Sequence, residues 1–289
     1  LMSKWSGRTK GFVLGYQIFI FFIKKIGVPA AYFLLYFVVP FYFVFLSKAR
    51  KNLSLTFKKI PGLNKSICWI IYQNFLNLGK VIIDNFAILT EHKDRYYYDQ
   101  DGEHYLIDLI NQSQSAILIS GHLGSWNIAG ELLRKKNGVV NVVMYDGEAE
   151  KIKRLVEKNI GKYNYKMICV NDDLSHLIKI KSAIDNGELI CILADRYLES
   201  SKTISVKFFD RDIDLPLGPF MIPSKFNIPY TFIFAAKESM FGYKFTATRP
   251  KTEKDPQIIA NEFSKELSGK LTEYPDQWFN YFNIFGNTK

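Results

Sequence analysis

The chain has 289 residues, enough for one large domain with a full core or for one domain with an appendage. Lys and Arg number 38 against 28 Asp and Glu, a formal charge of +10, but the excess is local: twelve of the basic residues and none of the acidic ones precede Asp84. With no recognised nucleic-acid-binding motif beside it, that charge excludes nucleic acid as the favoured partner. It fits an anionic membrane surface instead, where each Lys or Arg near the headgroups adds roughly 1 kcal/mol.

The apolar stretch inside this basic region comes first along the chain. Residues 11–23 are apolar and run into Lys24-Lys25, and residues 26–46 continue without a charge until the basic group SKARK. The second run reaches the length of about 20 residues that a bilayer span needs. Pro40 lies inside it and is expected to kink or break a helix. Basic residues flank both ends, so the positive-inside rule names no translocated end. Monotopic or re-entrant insertion is therefore preferred to a single span, and a buried core helix is the plain structural alternative. No cleavable signal peptide is expected, because the longest apolar run starts late and lacks a small-residue cleavage site. An aromatic content of 16%, with 24 Phe and 17 Tyr, agrees with lipid contact. Residues 1–60 read as a membrane-anchoring segment and 61–289 as the domain that does the chemistry.

Helices and strands alternate from residue 62 onward. Residues 68–88 have helix length, and a short helix follows near 103–112. Strand-like apolar runs then occupy 116–120, 139–144, 166–170 and 189–194, separated by amphipathic helical stretches near 126–136, 148–160 and 173–185. Such alternation implies a largely parallel sheet covered by helices, an α/β fold. Strand-like segments at 204–209, 230–236 and 243–248 make the sheet mixed, and a last helix near 256–272 leads into an aromatic tail. Cys68, Cys169 and Cys191 sit in apolar runs at no metal or disulfide spacing, so they read as core residues in a reducing compartment.

Chemistry concentrates in AILISGHLGSWNIAGELLRKK, residues 116–136. A buried strand runs into Gly121-His122-Leu123-Gly124-Ser125, and a helix starts near Trp126 with Ser125 as a candidate N-cap. The glycines allow a tight turn that holds His122 at a helix N-terminus, whose positive end and free N–H groups suit a developing oxyanion. Histidine is the natural base near neutral pH. Ser125 lacks the G-x-S-x-G frame of a nucleophile elbow, which weakens a hydrolase reading.

The His-x4-acid pattern at a strand-to-helix turn is the signature of glycerolipid acyltransferases, and HLGSW resembles the lipid A late acyltransferases (lauroyl and myristoyl transferases). Three further segments resemble that family in the same order: ARKNLSLTF (49–57), LICILADR (189–196) with VKFFDRDIDLPLGPFMIPSKFNIP (206–229), and YPDQWFNYF (274–282). The resemblance implies direct acyl transfer at the cytoplasmic face of a bacterial inner membrane. The donor is an acyl carrier protein or coenzyme A thioester, the acceptor a lipid, and neither metal nor organic cofactor is required. His122 would be the general base, oriented by a neighbouring acid, with backbone N–H groups and an Arg at the oxyanion.

One departure from the pattern matters: Asn127 stands where the family has its acid. An amide can orient an imidazole but cannot offset the charge of an imidazolium. Another carboxylate could substitute, either Glu131 one helical turn on or Asp195 in the second motif. Otherwise the enzyme runs slowly with Asn127, or the chain has lost activity and only binds. Arg154, Asp195, Arg196 and Gly218 are the candidates for donor binding and oxyanion contact. Asp195-Arg196 gains weight from its place at a strand end, which borders the cleft in such sheets. Arg196 replaces the family's Gln, and Gly218-Pro219 reads most simply as a turn, although the resemblance puts a glycine there beside the acyl pocket. A non-catalytic lipid-binding scaffold and a thioesterase are the rival functions.

Overall fold

The computed structural model describes residues 13–63, 65–125, 127, 138–145, 165–170, 175–198 and 200–285. Among them are eight α-helices: α1 Val13–Lys25, α2 Val28–Phe45, α3 Ser47–Phe57, α4 Ile67–Ala87, α5 Glu103–Asn111, α6 Ser175–Asp185, α7 Gly218–Phe226 and α8 Pro256–Glu273. The strands are β1 Tyr97–Asp101, β2 Ala116–Ser120, β3 Val140–Tyr145, β4 Lys166–Val170, β5 Leu189–Leu193, β6 Thr203–Phe208, β7 Arg211–Pro216, β8 Tyr230–Lys237 and β9 Gly242–Ala247. Seven strands form one sheet in the order β1-β9-β8-β2-β5-β3-β4, and β6 and β7 form a separate antiparallel pair. Neighbours in the main sheet are parallel except β8 and β9, so the fold is the mixed, largely parallel α/β sheet that the alternating pattern implies.

The pleat divides the apolar residues between two faces. Ile117 and Ile119 of β2, Ile190 and Ile192 of β5, and Phe232 and Phe234 of β8 join one core with α1–α4 and α8. Ala116 and Leu118, Leu189 and Cys191, and Ile233 and Ala235 face the other way, where Leu106 and Leu109 of α5 cover them. Strands buried on both faces read as continuous apolar runs, as β2 and β8 do. Cys191 is buried on β5, whereas Cys68 lies on the exposed side of α4. α8 begins as its sequence specifies: the Asp255 side chain accepts the Gln257 N–H at 2.8 Å and Pro256 occupies the first turn. Its buried stripe of Ile259, Phe263, Leu267 and Leu271 repeats every four residues.

Helix α2 differs from the expectation at Pro40, because helical backbone continues through it with Pro40 on the exposed face. Val28, Ala31, Tyr32, Leu35 and Val39 turn inward, and Leu35 packs on Gly79 of α4, where an added Cβ would come within 2.7 Å of a Leu35 methyl. Outward stand Phe33, Phe37, Phe41 and Phe45, each more than half exposed at 64%, 65%, 60% and 66%.

A buried ion pair locks these helices to the sheet. Asp84 of α4 has no exposed surface and meets Lys237 Nζ, at the end of β8, at 2.7 Å. Tyr96 donates to Asp84 Oδ1 at 2.7 Å, Tyr32 of α2 donates to the same oxygen, and Tyr243 of β9 donates to Oδ2. Removing one member of such a pair strands the other charge in the core, at a cost of about 3–5 kcal/mol. Asp84→Ala is accordingly expected to lower unfolding free energy by about that amount in a denaturant titration. A change under about 1 kcal/mol would show that the pair ties nothing together.

Candidate active site

β2 and β5 lie side by side in register, Ser120 opposite Leu193, so the turns leaving their C-terminal ends start as neighbours. One turn carries His122 and the other Asp195; between them the Ala194 N–H donates to the Ser120 carbonyl at 2.8 Å. His122 Nδ1 stands 2.6 Å from Asp195 Oδ1, and the His122 backbone N–H donates to Asp195 Oδ2 at 2.9 Å. The Trp278 indole Nε1–H donates to that same Oδ2 at 2.8 Å. The Asp195 side chain is fully buried, while His122 keeps 20% of its side-chain surface exposed. The imidazole therefore has one edge on a buried acid and another within reach of a ligand.

Burial alone would push the Asp195 carboxyl up. The charges of His122 and Arg196 and the hydrogen bonds from His122 outweigh it and hold that carboxyl well below the ordinary carboxylate range. An ionised Asp195 accepts, so Nδ1 must carry a proton to donate, which leaves Nε2 with its lone pair in the neutral ring.

The two glycines of the turn are needed for space. A Cβ at Gly121 would lie 3.3 Å from Asp195 Oδ2. Gly124 has φ +66°, and a Cβ there would come within 1.9 Å of the Ala235 carbonyl oxygen of β8. That close approach lets the Ser125 N–H donate to Ala235 at 2.8 Å and the Gly124 N–H donate to Gln277 at 2.9 Å. Ser125 Oγ donates to Asn85 Oδ1 of α4 at 2.6 Å, and the Phe279 N–H donates to the His122 carbonyl at 2.8 Å. The N–H groups of His122, Gly124 and Ser125 are thus engaged within the fold. The helix N-terminus near Trp126, whose N–H groups are the ones expected to face an oxyanion, lies outside the described residues apart from Asn127.

The other candidates are placed as follows. Asn127 Oδ1 accepts the Tyr165 hydroxyl at 3.0 Å, and the acid on the imidazole is Asp195. Arg196 donates to the Phe279 carbonyl, and its guanidinium carbon lies 5.7 Å from the Phe282 ring centre. Gly218 opens α7 rather than forming a simple turn, with nothing within 4 Å of the position of an added Cβ. Glu131 and Arg154 lie outside the described residues, as do the helical stretches near 126–136 and 148–160 apart from Asn127. Among the described residues no group of three His, Cys, Asp or Glu is placed to hold a metal ion.

Sequence reasoning gave no role to the Gln277–Asn280 segment that closes the site. Asn280 Nδ2 donates to the Asp195 carbonyl at 3.1 Å, and Asn74 Nδ2 of α4 donates to the Trp278 carbonyl at 2.8 Å. The available signal was the buried-type Trp and amides in a tail that resembled a family motif.

The fold and site define an α/β protein with a His–carboxylate pair at the C-terminal ends of adjacent parallel strands, where such sheets place their ligands. The chain belongs to the bacterial lipid A biosynthesis acyltransferase family, whose model matches residues 9–285. No curated protein matches the chain.

Gly124→Ala puts a side chain into a carbonyl oxygen at a positive φ, and strain of this kind costs about 1–3 kcal/mol before any clash is counted. The variant is expected to melt several degrees below the wild type. An unchanged melting temperature would contradict the close approach of the turn to β8.

Proposed function

We propose that the protein is a membrane-associated acyltransferase that moves a fatty acyl chain from a thioester donor to a hydroxyl or amine of a lipid or glycolipid, with His122 as general base and Asp195 as its acid partner. The observation that carries this is the 2.6 Å His122–Asp195 contact, with the acid buried and the base partly open. Nε2 of His122 takes the proton of the acceptor hydroxyl as its oxygen attacks the thioester carbonyl. The resulting imidazolium is stabilised by the Asp195 carboxylate through Nδ1–H. Collapse of the tetrahedral adduct breaks the carbon–sulfur bond, and the imidazolium returns its proton to the departing thiolate. Asp195 thereby fills the place that Asn127 leaves open, and this favours an active enzyme over a binding scaffold.

Family membership assigns the protein to lipid A biosynthesis, which makes a glycolipid the favoured acceptor. An acyl carrier protein, whose acidic surface would suit basic residues near the cleft, is the favoured thioester source, and coenzyme A is the other. Membrane association is supported by the exposed aromatic face of α2 and by the basic residues around it. On this reading residues 1–60 rest on the cytoplasmic face of the inner membrane and residues 61–289 carry the transfer.

Purified protein, radiolabelled acyl thioester and a bacterial lipid extract test the proposal. The wild type is expected to form a labelled lipid; free fatty acid alone would make the protein a thioesterase, and no product a binding protein. His122→Ala is expected to abolish transfer and Asp195→Asn to lower it by about 10³–10⁴-fold, as loss of the orienting acid does in a serine-protease triad. Asn127→Asp is expected to change the rate by less than about threefold, far below the loss of an orienting acid. The reverse ranking of Asp195→Asn and Asn127→Ala would return the acid's role to Asn127. Because the Asp195 carboxyl is held low, its charge is present at neutral pH and is lost only as pH falls through that depressed value. Protonation of Asp195 should therefore not set the acid limb of kcat/KM, and a limb titrating in the ordinary carboxylate range would contradict this. Separately, the protein is expected to stay with membranes in 1 M salt and leave them in detergent; release by salt alone would remove the inserted face.

A further inference from the structure

We propose that Trp278 is a positioning residue of the dyad, its indole N–H holding Asp195 Oδ2 so that Oδ1 faces His122 Nδ1. This rests on the reading that the His122–Asp195 pair carries the transfer. The carboxylate can turn about its own bond, and only donors on Oδ2 fix which way Oδ1 points. Among the described residues two reach it: the His122 backbone N–H at 2.9 Å and the Trp278 indole at 2.8 Å. Both residues lie out of water on this side, since Trp278 is 0% and Asp195 3% exposed. A lost indole bond at so buried a site is not replaced as it would be at a surface.

The surroundings of Trp278 place it for this role. Gln277 pairs with the backbone of Lys237 in both directions, accepting its N–H and donating to its carbonyl, each at 2.7 Å. This extends the end of β8 by a side-chain rung. Leu123 of the His122 turn forms an antiparallel bridge with Trp278 itself. On the far side Phe279 bonds the His122 carbonyl and Asn280 the Asp195 carbonyl. The backbone around the indole is thus bound to both halves of the dyad. For packing alone, a phenyl ring would fill most of the same space beside Phe208, whose ring centre is 6.0 Å away. What the indole adds is a donor aimed at a charged oxygen.

Trp278→Phe keeps an aromatic ring and removes the donor. Its kcat is expected to fall roughly ten- to a hundredfold, the range for a hydrogen bond to a charged group, with KM within about twofold. Phe208→Leu, which loosens packing on the indole and on Phe209 and Phe285 but removes no donor, is expected to lower the melting temperature and leave kcat within about twofold. An unchanged kcat in Trp278→Phe, or an equal loss of kcat in Phe208→Leu, would reduce Trp278 to packing.

A spectroscopic arm works without activity. In protein labelled with ¹⁵N-tryptophan, which contains four Trp, the Trp278 indole proton is expected to shift upfield in Asp195→Asn more than the other three. An indole signal insensitive to Asp195→Asn would overturn the proposal. Failure of the dyad reading shows differently, as wild-type transfer by His122→Ala, and leaves the indole result standing.

Discussion

A carboxylate with no exposed surface is unstable in a protein interior unless donors and positive charge surround it, and at Asp195 that requirement organises the site. Its oxygens take the His122 ring, the His122 backbone and the Trp278 indole. Arg196 follows it in sequence, and its charge helps hold the carboxyl ionised. To gather these groups, β2 and β5 must be neighbours, the His122 turn must pass close against β8, and the C-terminal segment must fold back over the strand ends. Each requirement is met by a specific local device: the parallel register of β2 with β5, glycine at 124, and the Gln277 side-chain rung on β8.

A second buried carboxylate plays a comparable part beneath α2. Asp84 gathers Tyr32 from α2, Tyr243 from β9 and Lys237 from the end of β8, so a helix with an exposed aromatic face is bound by its inner face to the sheet. Lys237 belongs to both arrangements, because its backbone pairs with Gln277 while its ammonium meets Asp84. Residues of α1–α4 and of the strands that carry the His122 and Asp195 turns consequently share one core.

Much of this was legible in the sequence, for physical reasons. Strands buried on both faces announce themselves as apolar runs, and α8 carries its own cap and its four-residue stripe. β1 was missed because its residues Tyr97–Asp101 are mostly exposed and show no apolar alternation. α7 was hidden by Gly218-Pro219, which read as a turn although both lie in a first turn that tolerates them. The local half of the site, His122 in its glycine turn, could be read directly. Asp195 stood among the possible substitutes for the missing acid but could not be singled out, because it lies 73 residues away and meets His122 only through a sheet order in which β5 enters between β2 and β3. Asn127, close in sequence and at the family's spacing, stood as the first candidate, whereas the contact with the imidazole is made by Asp195. Asp84 had a signal that went unused: it is the first acid of the chain, inside an otherwise apolar helix.

The central claim is that Asp195 sets the tautomer of His122, and ¹⁵N-histidine labelling reads this most directly because the chain has only four His to resolve. Above the pH at which the His122 ring becomes neutral, the account predicts a proton on Nδ1 and a bare Nε2, and loss of that preference in Asp195→Asn but not in Asn127→Ala. A neutral ring protonated on Nε2, or one that responds to Asn127 and ignores Asp195, would contradict it.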